Sequence, residues 1–304
     1  MNAAPVETPA PSGTPPGSAS LDPTPSGARP AEATAVHTRI LRCMLAVDDS
    51  YAYWQHAGED VPVDARWGPA VAGRSTDRGA ARAAPSAAGR ARVAFERRWF
   101  GAKSEARVRT LMTDMVERFD AYPEALALLR RLGAVPSNLR PFLCHVHTQL
   151  ADPIYRRFTG ELLPTRREQG LTTIDRDTVV RWVDALQAGR WGASTCVKFA
   201  SNLLATALDV GLVSGRRDPR KLPPIPVPDV LLGYVLYLLR DVRIDGSLTD
   251  NPYLRSLGVT RSTFRAFASR IPGVRFAELG GVIDLAWLEP SLTAFGLRYL
   301  GESA

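Results

Sequence analysis

Residues 251–287 read NPYLRSLGVTRSTFRAFASRIPGVRFAELGGVIDLAW. The Asn-Pro pair that opens this stretch is a typical helix start and predicts a short helix ending at Gly258. Apolar side chains then recur with helical spacing and predict a second helix over 260–271. Two strand-like runs follow, Val274–Leu279 and Val282–Trp287, joined by a Gly-Gly pair that is a strong hairpin signal. The order helix, turn, helix, hairpin is that of a winged helix-turn-helix unit.

A unit of the same kind is predicted immediately before it in the chain. Periodicity predicts helices over 175–186 and 194–209, joined by a turn with two glycines, and a helix over 229–241 that packs behind them. Residues 214–224, SGRRDPRKLPP, form a proline-stiffened basic loop where the wing of such a unit lies. We therefore expect a mainly α fold, a helical bundle with winged helix-turn-helix units and a small C-terminal β-hairpin wing.

Composition divides the chain into five segments. Residues 1–36 are rich in Pro, Ala, Ser, Thr and Gly, and predict a disordered tail because they offer little surface to bury. Residues 37–103 predict a short helix followed by a basic low-complexity loop, and helical periodicity over 104–170 predicts the bundle. The two winged units then occupy 171–245 and 246–304, and the second unit includes a C-terminal helix.

The composition argues against several classes of protein. No signal peptide pattern opens the chain, and the longest apolar run, 230–239, is too short to cross a bilayer, so we expect a cytoplasmic protein without a membrane partner. Cys43, Cys144 and Cys196 show no CxxC spacing, which argues against a disulfide framework or a zinc ribbon. The chain also lacks the HExxH, GxxxxGK[ST] and GxSxG motifs. We therefore expect no enzymatic activity, no catalytic residue and no cofactor.

One group of potential metal ligands, Cys144-His145-Val146-His147, falls on a predicted helix. Adjacent residues point about 100° apart on a helix, so this group cannot converge on one ion. We expect the histidines to lie on a polar helix face, Cys144 to fill the core, and no metal to bind. A metal-dependent nuclease is accordingly the least favoured hypothesis.

Positive charge is clustered along the chain, whose formal net charge is +7. Residues 66–109 carry 11 basic and three acidic residues, a net charge of +8 (11 − 3) that exceeds the total for the chain. Two further basic clusters, over 190–221 and 252–276, coincide with the predicted winged units. Basic side chains that neutralise phosphates release counterions, so such surfaces bind DNA with salt-sensitive and largely sequence-independent affinity.

The predicted DNA contacts lie on the loop of the first unit and on the second helix of each unit. A solvated loop, a helix cap or a surface ion pair is the alternative interpretation for each set. The helix N-terminus in the first unit can also receive a phosphate, and in the second unit Arg265 is the best candidate to contact base edges in the major groove. The predicted contacts are Ser194, Thr195, Lys198, Arg216, Arg217, Arg220, Lys221, Arg261, Ser262, Thr263 and Arg265.

Three segments carry a family resemblance: WGASTCVKF at 191–199, the helix with its Gly-Leu exit at 204–212, and LTDNPYL from 248 onward. Over roughly residues 100–290 the chain resembles the BrxA family of BREX phage-exclusion systems. The resemblance implies a small helical DNA-binding protein with winged-helix elements. It would act beside a methyltransferase, an ATPase and a phosphatase-like protein, and would have none of their activities. The Pro/Ala-rich tail and the low-complexity stretch at 58–89 depart from the family pattern.

The leading hypothesis is therefore a non-enzymatic accessory subunit of a BREX-type phage defence system that binds double-stranded DNA. Its expected partners are duplex DNA and other defence-system proteins. The alternatives are a protein-binding scaffold and a transcriptional regulator that use the same winged units. The DNA sequence preference and the oligomeric state stay open at this point.

Overall fold

The computed structural model describes residues 29–58, 87–279 and 282–301. Most of the predicted tail, most of the low-complexity stretch and the Gly-Gly pair of the hairpin lie outside these ranges. The described chain is mainly helical and has two small antiparallel sheets, as the periodicity predicts. None of its helices combines the length and apolar character that a membrane crossing requires.

The bundle helices enclose the largest part of the hydrophobic core. They are α1 (Val47–His56), α2 (Ala87–Glu96), α3 (Glu105–Met115), α4 (Pro123–Arg131), α5 (Arg140–Ala151), α6 (Pro153–Arg157) and α7 (Leu163–Glu168). A short 3-10 helix, Arg39–Leu41, precedes α1, and π-helical turns extend α3 and join α6 to α7. Ser104 caps α3 by accepting from the Arg107 amide, and Asp152 caps α6.

Helix α2 lies in a segment that the sequence predicts only as a basic loop. Its alanines explain the difference, because Ala91 and Ala94, three residues apart, are both buried in the core. Alanine favours helix, and a small side chain lets the helix approach its neighbours closely. The low-complexity composition therefore hides a packed element.

The next elements follow the predicted order of the first unit. They are β1 (Thr173–Ile174), α8 (Arg176–Leu186), α9 (Ala193–Val210), β2 (Arg220–Lys221) and α10 (Asp229–Arg240). The three helices predicted here are confirmed to within about a residue at each end. Strands β1 and β2 pair antiparallel, with Thr173 opposite Lys221, and Lys221 also pairs with Ser214 on its other side.

The last elements are α11 (Pro252–Ser256), α12 (Phe264–Ala268), β3 (Val274–Leu279), β4 (Val282–Trp287) and α13 (Leu292–Tyr299). The hairpin strands are confirmed as predicted, with Leu279 opposite Val282. On the inner face of the hairpin, Trp287 packs edge-on against Tyr237 of α10, with ring centroids 4.8 Å apart.

The helix predicted over 260–271 is wrong in its length, because α12 covers only five residues. Before α12, Thr260 and Thr263 exchange side-chain bonds: the Thr263 hydroxyl oxygen accepts from the Thr260 amide at 2.9 Å, and the Thr260 hydroxyl oxygen accepts from the Thr263 amide at 3.3 Å. These bonds hold a capped turn. Beyond α12, Pro272 disfavours helical geometry at Ile271.

The structure differs from the predicted tail boundary at residues 29–36, which pack on the body. Glu32 is buried, and its carboxylate accepts from the Tyr253 hydroxyl at 2.5 Å and from the Asp245 amide at 3.0 Å. It also lies 3.4 Å from the Arg156 guanidinium. The composition of this segment predicts disorder because it offers little apolar surface to bury. An ion pair and backbone hydrogen bonds nevertheless hold the segment against the body.

Helix α5 runs through the core, and the predicted polar face for its histidines is wrong: His145 and His147 are fully buried. Ser256 donates its one hydroxyl proton to the Tyr253 carbonyl, so it accepts from Nε2 of His145 at 2.9 Å. Nδ1 of His145 then accepts from the hydroxyl of Tyr155 at 2.8 Å. Burial lowers the pKa of His145 to about 3 and that of His147 to about 4.

The second unit packs directly on the bundle at a glycine. A Cβ atom placed on Gly160, in the π-helical turn between α6 and α7, would lie 2.5 Å from Cβ of Pro252 and 2.6 Å from its carbonyl oxygen. No side chain fits in that space. The first residue of α11 therefore rests against the backbone of the bundle.

Candidate nucleic-acid interface

The loop between Ser214 and Lys221 presents two adjacent exposed arginines of the first unit. Two backbone hydrogen bonds of 2.9 Å between Ser214 and Lys221 close the loop at its base. Arg216 and Arg217, near its tip, are exposed and bond to none of the residues that the structure describes. The sequence explains this geometry, because glycine at 215 adopts a φ of +90° and begins the turn.

An acidic side chain fixes the loop against α8. The Asp218 carboxylate accepts from the Arg176 amide at 3.3 Å, which places the loop beside the first turn of that helix. Asp218 also lies 3.6 Å from Nε of Arg220, whose side chain is half-buried. Arg220, a predicted phosphate contact, is therefore less accessible than the tip arginines, whereas Lys221 is exposed beside it.

The start of α9 carries the second set of predicted DNA contacts, and it has less positive charge than the loop. Helix α9 begins at Ala193 with Gly192 at the N-cap position, so Ser194 is not the capping residue. Ser194 and Lys198 are exposed one turn apart, and Thr195 is half-buried. Lys198 is the one basic residue within the 18 residues of α9, so this helix attracts phosphate less strongly than the loop.

The loop and the start of α9 are separate surfaces. The loop lies at the first turn of α8, whereas Ser194 comes after the end of α8. A helix of 11 residues is about 16 Å long. Part of α9 is also covered, because the Asn202 amide donates to the Ile40 carbonyl of the N-terminal segment at 2.9 Å.

In the second unit, an open groove of about 700 Å³ lies between α7, α11, α12 and β4. It brings together the predicted residues Arg261, Ser262 and Arg265, and adds Arg255, which the prediction missed although it lies in the acid-free cluster 252–276. Arg255 is 3.4 Å from Glu168 at the groove wall. The groove is therefore lined by three arginines, with a carboxylate of Glu168 and another of Asp250 at its edge.

Two predicted hydroxyls in this unit have internal partners. The Thr263 hydroxyl belongs to the capped turn before α12 and is not part of the groove lining. The Ser262 hydroxyl is hydrogen-bonded to that of Thr260 at 2.9 Å. Arginine side chains therefore supply the donors in this groove.

Other arginines of the bundle serve the fold. Arg156 is buried and donates to the carbonyls of Gln149 and Ala33, each at 2.7 Å. Arg167 donates to the Leu212 carbonyl at 2.6 Å, and burial lowers the pKa of its guanidinium. These side chains connect the bundle to its neighbouring segments and are not available to DNA.

The last feature of the described residues to consider is their capacity to bind a metal ion. Within the ranges 29–58, 87–279 and 282–301, no group of three or more His, Cys, Asp or Glu side chains is arranged to hold a metal ion. Comparison of the chain with protein-family models, with curated proteins and with solved structures found no match.

Proposed function

We propose that this chain is a non-enzymatic, double-stranded DNA-binding accessory subunit of a BREX-type phage defence system. The observation that carries the DNA-binding proposal is the pair of adjacent exposed arginines, Arg216 and Arg217, on a closed loop beside α8. The defence role rests on the family resemblance in the sequence. The proposed partners are duplex DNA and other proteins of the same system, in the cytoplasm.

The order of elements supports a winged-helix interpretation of the first unit. Strand β1, helices α8 and α9, and the loop that returns through β2 follow one another as in that motif. Lys221 pairs on one side with Thr173 and on the other with Ser214, which gives a miniature sheet with the loop as its wing. The second unit has a comparable order in α11, α12 and the hairpin.

The loop is suited to bind phosphate at low cost. Its two tip arginines lose no intramolecular partner among the described residues when they bind, and the nearby Asp218 is occupied by the Arg176 amide. Arginine presents a planar set of donors that matches phosphate oxygens. A backbone closed at Ser214 and Lys221 restricts the loop before DNA arrives, so less conformational entropy is lost on binding.

Phosphate contact outweighs base contact in this proposal. The five-residue helix α12 offers little length for insertion into a major groove, and the hydroxyls of Ser262 and Thr263 already have partners. Phosphate contacts set position and affinity but carry no sequence information. We therefore propose binding with little sequence preference.

The test is fluorescence anisotropy of a labelled duplex titrated with the full chain at several salt concentrations. Six exposed or half-buried basic side chains contribute: Arg216, Arg217, Lys221, Arg255, Arg261 and Arg265. Six phosphate contacts give a log–log salt slope of about −5 for duplex DNA. Absence of binding at low salt, or a flat slope, overturns the proposal in favour of a protein-binding scaffold. Discrimination among duplex sequences by about 10³ or more is typical of a transcriptional regulator instead.

A further inference from the structure

A pocket of about 200 Å³ lies between the 3-10 helix Arg39–Leu41 and α3. Its lining shares no residue with either proposed DNA surface. Its lining includes Arg39, Arg42, Arg109 and two threonines of α3, with Asp114 and Cys43 at its base. Since a water molecule takes about 30 Å³ in the liquid, the pocket has room for a compact anion and several waters.

The three arginines differ in how strongly they are held. Arg42 is exposed and its side chain bonds to none of the described residues. Nη1 of Arg39 is 2.9 Å from Glu117, and Nη2 of Arg109 is 2.5 Å from Glu105, in pairs whose glutamates are about half exposed. Exposed ion pairs such as Arg109–Glu105 contribute only about 0–1 kcal/mol, so Arg109 can exchange its glutamate for a bound anion. The Arg39 side chain is 26% exposed and is held more firmly.

The acidic group at the base of the pocket does not oppose an anion. Asp114 is buried, and one of its carboxylate oxygens is 2.6 Å from Nε of Arg118, which is itself 2% exposed. The positive charge of Arg118 compensates the carboxylate. Burial raises the pKa of the Cys43 thiol to about 12, so the thiol stays neutral.

The two threonine hydroxyls of the pocket already donate to backbone carbonyls, so the arginines must supply the donors to a ligand. The hydroxyl of Thr110 donates to the Ala106 carbonyl at 3.1 Å, and that of Thr113 donates to the Arg109 carbonyl at 3.0 Å. The ligand must therefore be rich in acceptors and negatively charged. Arg109 also ends the most basic segment of the chain, 66–109, to which the proposed DNA surfaces assign no role.

We propose that this pocket binds a phosphate group, which either a small phosphorylated molecule or the DNA backbone can supply. The inference goes beyond the proposed function because it uses none of the loop or groove residues. Arg42 is expected to contribute most, since it gives up no partner among the described residues. Arg39 and Arg109 are expected to contribute after they leave their glutamates.

The first experiment titrates inorganic phosphate into the full chain by isothermal calorimetry, at constant ionic strength with chloride as the balancing anion. We expect saturable millimolar binding that Arg42→Ala weakens about fivefold. Glu117→Gln and Glu105→Gln should each strengthen binding, because they release Arg39 and Arg109, whereas Glu161→Gln, far from the pocket in sequence and paired with Arg157, should not. The matched control is Arg131→Ala, an exposed arginine of α4 that also bonds to none of the described residues. Equal weakening by the two alanine variants overturns the proposal.

The second experiment distinguishes the two sources of phosphate by duplex binding of the same variants. Weaker duplex binding by Arg42→Ala, but not by Arg131→Ala, assigns the pocket to the DNA backbone. Unchanged duplex binding together with weaker phosphate binding assigns it to a small phosphorylated ligand. If Arg42→Ala binds both probes like the parent, the pocket proposal fails, while the DNA-binding proposal rests on its own salt titration.

Discussion

Replacing Glu32 by alanine is expected to destabilise the whole protein, although Glu32 lies in a segment whose composition is typical of disorder. Its side chain is 7% exposed and that of its partner Arg156 is 9% exposed, with 3.4 Å between the charged groups. Removal of one member of a buried ion pair costs about 3–5 kcal/mol, because the remaining charge stays buried without compensation.

The expected loss in free energy of unfolding is near the lower end of that range, about 3 kcal/mol. Arg156 keeps its two carbonyl acceptors after the substitution, which limits the penalty. The Tyr253 hydroxyl and the Asp245 amide each lose an acceptor, which adds to it. Glu32→Gln retains an acceptor oxygen for Tyr253, but it removes the charge and turns an NH₂ group toward the Asp245 amide, so it should cost less than alanine without being neutral.

Urea denaturation followed by circular dichroism measures the change. The matched control is Glu161→Ala, which removes a carboxylate 3.2 Å from Arg157 in a pair whose side chains are 44% and 49% exposed. That exposed pair should contribute less than about 1 kcal/mol. Equal losses in the two variants would refute the reasoning, because the segment 29–36 would then contribute no more than a surface ion pair.

Two further predictions concern the proposed wing and the buried histidines. Arg216→Glu with Arg217→Glu should lower the duplex salt slope by about 2, whereas Arg131→Glu with Arg157→Glu, of equal charge change, should leave the slope unchanged; similar slopes for both would mean that DNA follows another path. Because the pKa values of the two α5 histidines are lowered from 6.5 to about 3 and 4, the unfolded chain binds protons first as the pH falls. Their contribution, fully present above pH 6.5, should decline by about 2.5 kcal/mol between pH 7 and 5.5 in urea denaturation. His147→Gln should halve that decline, and an unaltered pH dependence would contradict the assignment.

Local signals account for the elements that were predicted well. The Gly-Gly pair and the strand-like runs on either side of it predict the hairpin from local sequence alone, and the structure pairs the two strands as expected. Helices α8 and α9 follow from apolar residues on one face, of which Val179 and Val183 are completely buried. Glycine at 211 adopts a φ of +85° and ends α9.

Long-range partners explain what could not be predicted. The Glu32 carboxylate accepts from the hydroxyl of Tyr253, which is 221 residues away in the sequence. Composition cannot predict a contact over that separation. The arginines divide in the same way: Arg156 and Arg216 are alike in sequence, yet one is buried against carbonyl groups and the other is exposed. Arg255 was missed as a groove residue because its role depends on how α7 and α12 approach it.

The contact at Gly160 fixes the second unit, which carries one of the two proposed DNA surfaces, against the bundle. Pro252 begins α11 and contacts the bundle backbone at 160 with no side chain in between. The second unit therefore cannot move away from the bundle without losing this contact. If the groove binds duplex as proposed, this contact holds it in one position relative to the bundle. A methyl group added at 160 would meet Pro252 at 2.5 Å and would displace the second unit together with its groove arginines, although it changes no charge.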